Sequence, residues 1–251
     1  MTKTAVNLLW TGGLDSTFRT LEALLIEKRV VKPYYMLDTA RFSLRNEIKA
    51  MSKIKDLLFE KHPFTKELLL PIQYVDVDDI KTDQTIQKAF KELSSIRHLG
   101  IQYRWLAEFC VEHGIKDLEL GIIRKGEASD HGEALSESLD PFIEPIDSDE
   151  KVYKINTEKT KADGSQKAML YEKVFENYHL PIITYSKKDM VEMAKKNGWM
   201  DFVGLTWYCH RPRKFKYPCG KCNPCKTAKQ EGVAKKTPLI RWKYFYKEKY
   251  S

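Results

Sequence analysis

Two groups of residues in this chain have types and spacings suited to chemistry. Cys209, Cys219, Cys222 and Cys225 follow one another as C-x9-C-x2-C-x2-C. The compact Cys-Gly-Lys-Cys-Asn-Pro-Cys turn can bring three thiolates to one metal, and the preceding loop returns the fourth. Four cysteines close a tetrahedral structural zinc site and leave no open position for catalysis; C-x2-C-x2-C also suits an iron–sulfur cluster. The second group is Thr11-Gly12-Gly13-Leu14-Asp15-Ser16-Thr17. Glycines in such a turn let backbone N–H groups approach an anion, while hydroxyls and the following helix N-terminus complete a phosphate cradle. It is not a Walker A loop, because the Gly-Lys-Ser/Thr ending is missing. The plainer reading is a glycine turn with Asp15 and Ser16 capping a helix. The order hydroxyl-Gly-Gly-x-Asp-Ser after a first strand is more specific than that, and favours the cradle.

Other residues offer weaker signals. Lys187, in the first turn of a helix, can neutralise phosphate charge or simply be solvated. Arg97 has the same choice between a phosphate and a surface ion pair. Asp130 and His131 can move protons, although Asp-His-Gly also serves as a loop and helix cap. Cys110 sits on an apolar helical face and is assigned to the core. In the tail, Arg241 to Tyr246 interleaves aromatic and basic residues; docking on the domain explains it better than stacking on nucleic acid.

The elements that must position these groups follow from periodicity. Ala5–Trp10 is a short apolar run ending at the glycine turn, and Phe18, Leu21, Leu24 and Leu25 then recur at helical spacing over residues 15–29. Pro33–Leu37 reads as a second strand ending at Asp38, and Ile48, Met51, Ile54, Leu57 and Leu58 line a long second helix. Ile72–Val77 is a third strand before an Asp-rich turn. A helix over 101–113 stops at Gly114 and leads to a fourth strand, Leu118–Ile123. Strands alternating with helices predict an α/β fold, a parallel sheet covered by helices on both faces. Such sheets bind ligands beyond the carboxyl ends of their strands, where Thr11–Ser16, Asp38 and Gly121–Asp130 all fall. Residues 147–166 are polar and Lys/Glu-rich, which predicts an exposed excursion. Ser186 with Asp189 predicts a capping box for a helix stopped at Gly198. The expected division is a nucleotide-binding domain over 1–200 and a zinc-binding module with its tail over 201–251.

Composition bounds the rest. The 251 residues carry 43 Lys+Arg against 35 Asp+Glu, a net charge of +8, with basic and acidic residues mixed along the chain. Mixed charge is usually a solvated surface, and an anionic nucleotide accounts for the excess as well as nucleic acid does. No stretch approaches the roughly 18 apolar residues of a membrane span. The first ten residues run into the glycine turn without the apolar core of an export signal, and four of five cysteines are crowded together, which predicts a protein of the reducing cytoplasm. No membrane partner is expected, nucleic acid is not expected as a partner, and a homodimer is compatible with the sequence.

The glycine turn resembles that of the PP-loop ATP pyrophosphatases, whose Ser-Gly-Gly-x-Asp-Ser signature has Thr11 here in first place. The resemblance implies cleavage of ATP between its α and β phosphates. It also implies a Rossmann-like fold of the adenine nucleotide alpha hydrolase type, with phosphates on Thr11, Gly12, Gly13, Leu14, Asp15, Ser16 and Thr17, Mg2+ near Asp15, and the nucleoside beside Asp38. Together with Thr206-Trp207-Tyr208-Cys209 and Cys219-Gly-Lys-Cys222-Asn-Pro-Cys225, it is similar to the QueC family of 7-cyano-7-deazaguanine synthases. Pro181-Ile182 followed by Lys187, and Arg97 opening the central helix, extend the likeness along the chain. The implied reaction converts 7-carboxy-7-deazaguanine to the nitrile with ATP and ammonia through an adenylated acid and an amide. The implied catalytic residues are Asp15, Ser16, Lys187, Arg97 and Asp130, and the product serves queuosine or deazapurine DNA modification. The sequence departs from the family where it would face that substrate: Thr39-Ala40-Arg41 replace Tyr-Gly-Gln, Glu127 to Gly132 replace Ser-Gly-Tyr-Pro, and Lys226 stands near an expected arginine. A divergent member that serves defence, stops at the amide or uses another carboxylate fits these changes. A transfer-RNA thiolase of the PP-loop class and a non-catalytic zinc-ribbon nucleic-acid-binding protein are the other readings.

Overall fold

The computed structural model describes residues 4–124, 134–146, 149, 151–214, 216–230 and 234. The chain runs through β1 (Val6–Leu9), α1 (Leu14–Leu21), β2 (Val31–Leu37), α2 (Leu44–Lys61), α3 (Thr65–Leu68), β3 (Gln73–Asp76), α4 (Gln84–Ile96) and α5 (Gln102–His113). It continues through β4 (Leu118–Glu119), α6 (Leu135–Leu139), β5 (Ile143–Pro145), β6 (Tyr153–Ile155), α7 (Thr157–Asp163), α8 (Gln166–Phe175) and β7 (Tyr178–Leu180). The last elements are α9 (Lys187–Lys196), α10 (Met200–Leu205) and α11 (Asn223–Gln230).

The seven strands form one sheet in the order β3-β2-β1-β4-β7-β6-β5. The first five in that order are mutually parallel, whereas β6 runs antiparallel to both β7 and β5. The α/β expectation is met, with an antiparallel extension at one edge. Alternation along β2 shows why both faces need helices. Tyr34 packs in the core shared with Phe90, Phe109 and Phe175, while its neighbour Tyr35 packs with Phe18, Ile54 and Phe202. Successive strand residues point to opposite faces, so each face needs an apolar cover. Helices α4, α5 and α8 supply one cover, and α1, α2, α9 and α10 supply the other.

Residues 147–166 differ from the exposed excursion expected there. Tyr153–Ile155 is a strand inside the sheet and α7 follows it, with Ile155 and Thr160 buried. The Lys/Glu-rich composition describes the solvent sides of two short elements that each bury little. Residues 147, 148 and 150 lie outside those described. The expected end of the first helix is also refined: after α1, residues Glu22–Ile26 widen into a π-turn.

That turn belongs to a buried ion cluster that carries α1 across the sheet. Arg19 is 1% exposed, and its guanidinium donates to Glu119 on β4 at 2.6 and 3.1 Å, to Glu22 at 3.0 Å, and to Glu27. Burial pushes the carboxyls of Glu119 and Glu22 up, and Arg19 opposes it. Removing one partner of a buried pair leaves the other charge without compensation, so Arg19→Ala is expected to destabilise the fold by about 3–5 kcal/mol. Without Arg19 the folded-state pKa of Glu119 rises further, so the folded chain binds more protons than the unfolded chain above the ordinary carboxylate range. The deficit of the variant therefore shrinks as pH is lowered from 7 toward 5. Urea unfolding of both proteins at the two pH values measures it, and a deficit that grows on acidification would contradict the assignment.

Candidate nucleotide and metal site

In this strand order the chain leaves β1 toward β2 on one side, while β4 lies on the other, so a crevice opens beyond their carboxyl ends. A cavity of about 590 Å³ occupies that position, a volume typical of small-molecule sites. Its walls come from the ends of β1, β2 and β4, from the start of α5, and from the stretch after Cys209.

The turn after β1 is shaped by close packing. Gly12 has φ +67°, and a Cβ there would lie 2.9 Å from the Glu47 backbone oxygen and 3.3 Å from the Ala50 Cβ on α2, so both conformation and space call for glycine. Gly13 caps α1 in an extended conformation. The Thr11 N–H donates to the Ser16 Oγ at 3.1 Å, and the two hydroxyl oxygens are also 3.1 Å apart. Thr11, Gly13, Asp15 and Ser16 line the cavity together with Asp38. The Asp38 Oδ1 accepts from the Ala40 N–H at 3.0 Å, which shapes the turn after β2.

Gly12, Leu14 and Thr17 are not among the lining residues. Gly12 sets the turn, Leu14 packs against the core, and the Thr17 hydroxyl accepts from the buried Trp10 indole at 3.2 Å. Their sequence pattern marks the loop because they build it.

Asp15 is the most telling residue of the site. Its Oδ1 is buried with no hydrogen-bond partner among the described residues. Burial pushes its carboxyl above the ordinary value, and the charge of Lys187, the first residue of α9, acts in the opposite direction. A buried carboxylate oxygen without a partner, beside a hydroxyl-bearing glycine turn, is suited to a cation such as Mg2+. The capping box predicted for α9 is present: the Ser186 N–H donates to the Asp189 carboxylate at 2.8 Å and the Asp189 N–H to the Ser186 Oγ at 3.2 Å.

Arg97 stands elsewhere. It closes α4 instead of opening α5, and its guanidinium donates to the Ala134 carbonyl at 3.4 Å and to the Ser138 hydroxyl. It reaches the cavity through Tyr103, a lining residue that feels the charges of both Arg97 and Asp15. Burial pushes the Tyr103 phenol up to about 12, so it remains a proton donor at neutral pH. Asp130 and His131, like the tail from Arg241 to Tyr246, lie outside the described residues.

Further lining residues carry no motif. The Tyr35 hydroxyl donates to the Glu47 Oε2 at 2.7 Å, and Arg41 donates to the Glu47 Oε1 at 2.7 Å. Both Tyr35 and Arg41 line the cavity, as do Gln102, Trp105, His210 and Arg211. The departure at Arg41 was legible as a substitution in a ligand-facing segment, whereas α5 and the stretch after Cys209 enter the cavity through tertiary packing alone.

The four cysteines converge. Their sulfurs lie within 4.8 Å of one another, with Cys219 to Cys225 at 3.8 Å and Cys222 to Cys209 at 4.0 Å. With metal–sulfur bonds of about 2.3 Å, a tetrahedron has sulfur–sulfur edges of about 3.8 Å. The arrangement therefore fits one ion such as zinc; a cluster that binds each thiolate through a different iron needs a wider tetrahedron. Burial raises the Cys219 thiol, but N–H groups of Lys221 and Cys222 outweigh it and bring the pKa to about 6. Burial holds the thiols of Cys209 and Cys225 up. Only a cation can make all four thiolates stable together. The expected core role of Cys110 is met, since it is buried among Phe109, Leu118 and Tyr178.

The four-cysteine group is tied to the glycine turn. Trp207 donates its backbone N–H to the Gly12 carbonyl at 2.8 Å and its indole N–H to the Cys209 carbonyl at 2.8 Å. Ala50, Trp207, Cys209 and Cys225 share one apolar cluster. No described helix is long and apolar enough to cross a membrane.

Residues 153–236, from β6 through the four cysteines, match the family of the queuosine biosynthesis protein QueC. No curated protein matches the chain. The matched stretch is about a third of the chain and does not include the glycine loop on β1; over that stretch the chain is similar to QueC.

Proposed function

We propose that this QueC-like protein activates the carboxylate of 7-carboxy-7-deazaguanine with ATP and transfers it to ammonia, in the cytoplasm. The buried, unpartnered Asp15 carboxylate oxygen beside the glycine loop carries the reading. It is costly for the fold alone and useful to a site that gathers phosphates around a cation. Thr11, Gly13 and Ser16 would hold the phosphates, Asp38 would lie beside the nucleoside, and Asp15 would hold Mg2+, which supplies positive charge to the phosphate oxygens. Cys209, Cys219, Cys222 and Cys225 would hold zinc as a structural ion.

A carboxylate is a poor electrophile until it gains a leaving group. Here a carboxylate oxygen attacks the α-phosphorus and pyrophosphate departs. Ammonia then attacks the acyl carbon, AMP leaves with the transferred oxygen, and a proton is lost to give the amide. Lys187, whose charge reaches Asp15, offsets negative charge at the loop during the first step. The nitrile requires removal of the amide oxygen by a second activation with ATP. The loop after β4 that would serve this step departs from the family pattern, so the amide is expected to form faster than the nitrile. Mass spectrometry with ATP, ammonia and the acid, scoring acid, amide and nitrile separately, measures it. Conversion of neither kind by a folded, zinc-replete sample would reject the deazapurine substrate.

The thiolase reading receives no support from the cavity, because none of its described lining residues is a cysteine. A zinc ribbon without catalysis leaves the glycine loop and its orphan carboxylate unexplained.

A further inference from the structure

The cavity lining includes two arginines for which the glycine loop does not account. Arg41 comes from the turn after β2, and Arg211 lies two residues beyond the metal ligand Cys209; both line the cavity. His210 lines the same wall of the cavity as Arg211. Arg41 is anchored by Glu47 at 2.7 Å, yet its side chain is 37% exposed. Arg211 has no ion pair or side-chain hydrogen bond among the described residues. Its backbone N–H donates to the Cys209 sulfur, so the metal loop fixes where this arginine starts. The acidic groups on this side are Glu47, occupied by Tyr35 and Arg41, and Asp38, whose Oδ1 accepts from the Ala40 N–H.

We infer that Arg41 and Arg211 form a second anion subsite, separate from the Thr11–Ser16 loop, which takes a phosphate monoester on the acid substrate. The molecule activated here is then a nucleotide bearing a carboxylate on its base and not the free base. The inference rests on the adenylation reading above. Guanidinium forks match phosphate oxygens in geometry, and two of them match the double charge of a monoester, where a single one satisfies a carboxylate. Delivery of Arg211 by the metal loop also gives the four-cysteine group a part in substrate choice, beyond holding the fold.

Calorimetry on the full-length, metal-replete protein saturated with α,β-methylene-ATP tests this. The probes are ribose 5-phosphate, 7-carboxy-7-deazaguanine, and the 5′-monophosphate of its nucleoside. The nucleotide is expected to bind at least about tenfold more tightly than the free base, and Arg211→Gln to remove that advantage. Metal content and affinity for the ATP analogue should be unchanged in Arg211→Gln, which shows that it folds. Equal affinity for base and nucleotide in the native protein would overturn the subsite and leave the adenylation reading standing. Binding of ribose 5-phosphate that is lost in Arg211→Gln, without binding of either deazapurine, would support the subsite and reject the deazapurine. Weaker binding of the ATP analogue to metal-replete Arg211→Gln would place Arg211 on ATP and overturn the inference.

Discussion

Asp15→Asn is expected to abolish ATP-dependent turnover, a loss of at least about a thousandfold in kcat, while raising the thermal midpoint of the ligand-free protein. Both effects come from one burial. The folded-state pKa of Asp15 lies above its unfolded value because water is excluded from it, with Lys187 only partly opposing. Between those two values the folded chain binds more protons than the unfolded chain, so stability contributed by this group falls as pH rises. At neutral pH, above its unfolded value, burial of this group works against the fold, and the neutral amide relieves that cost. In the proposed turnover the same charge would hold a cation against the phosphates. Melting curves with and without Mg2+ and ATP, beside a steady-state assay, measure both quantities. A variant that turns over normally, or one whose ligand-free midpoint falls, would contradict the role given to Asp15.

Cys222→Ser is expected to cause the larger structural loss. Metal binding to four thiolates is folding free energy, on the order of 10 kcal/mol for structural zinc sites, and only part of it survives with three sulfur ligands. The damage should extend to the glycine loop, because Trp207 links the Gly12 carbonyl to the chain that carries Cys209. The variant should therefore lose metal and bind ATP weakly even where α1 and β1 remain folded. Metal analysis, circular dichroism and ATP titration check it. Stoichiometric zinc and native ATP affinity in this variant would contradict the coupling, and stoichiometric iron in the native protein would displace zinc.

The elements that set the site were readable where one local rule governs them. The apolar run of β1, the glycine turn and the helical spacing after it define the loop, and the Ser186–Asp189 box fixes the start of α9 within a residue. The cysteine spacing anticipates the convergence of four sulfurs. Helix α4 carries an Asp83 cap and the spacing Ile86, Phe90, Leu93, yet it follows an Asp-rich stretch that reads as turn. The strand Tyr153–Ile155 was hidden because a three-residue segment with one buried side chain has no periodicity to detect. The Arg19 cluster was illegible for a different reason: its partners Glu22, Glu27 and Glu119 are gathered by a π-turn and by a strand 100 positions away. For Arg97 the sequence offered a phosphate contact or an ion pair, and the structure adds hydrogen bonds to Ala134 and Ser138 that only tertiary packing provides.

The central claim is that a carboxylate oxygen of the acid attacks the α-phosphorus of ATP. Turnover of 7-carboxy-7-deazaguanine labelled with 18O in its carboxylate tests it most directly, with AMP recovered and weighed by mass spectrometry. Acid adenylation predicts one 18O atom in each AMP formed and unlabelled pyrophosphate as the other product. Unlabelled AMP, or release of ADP and phosphate in its place, would contradict it.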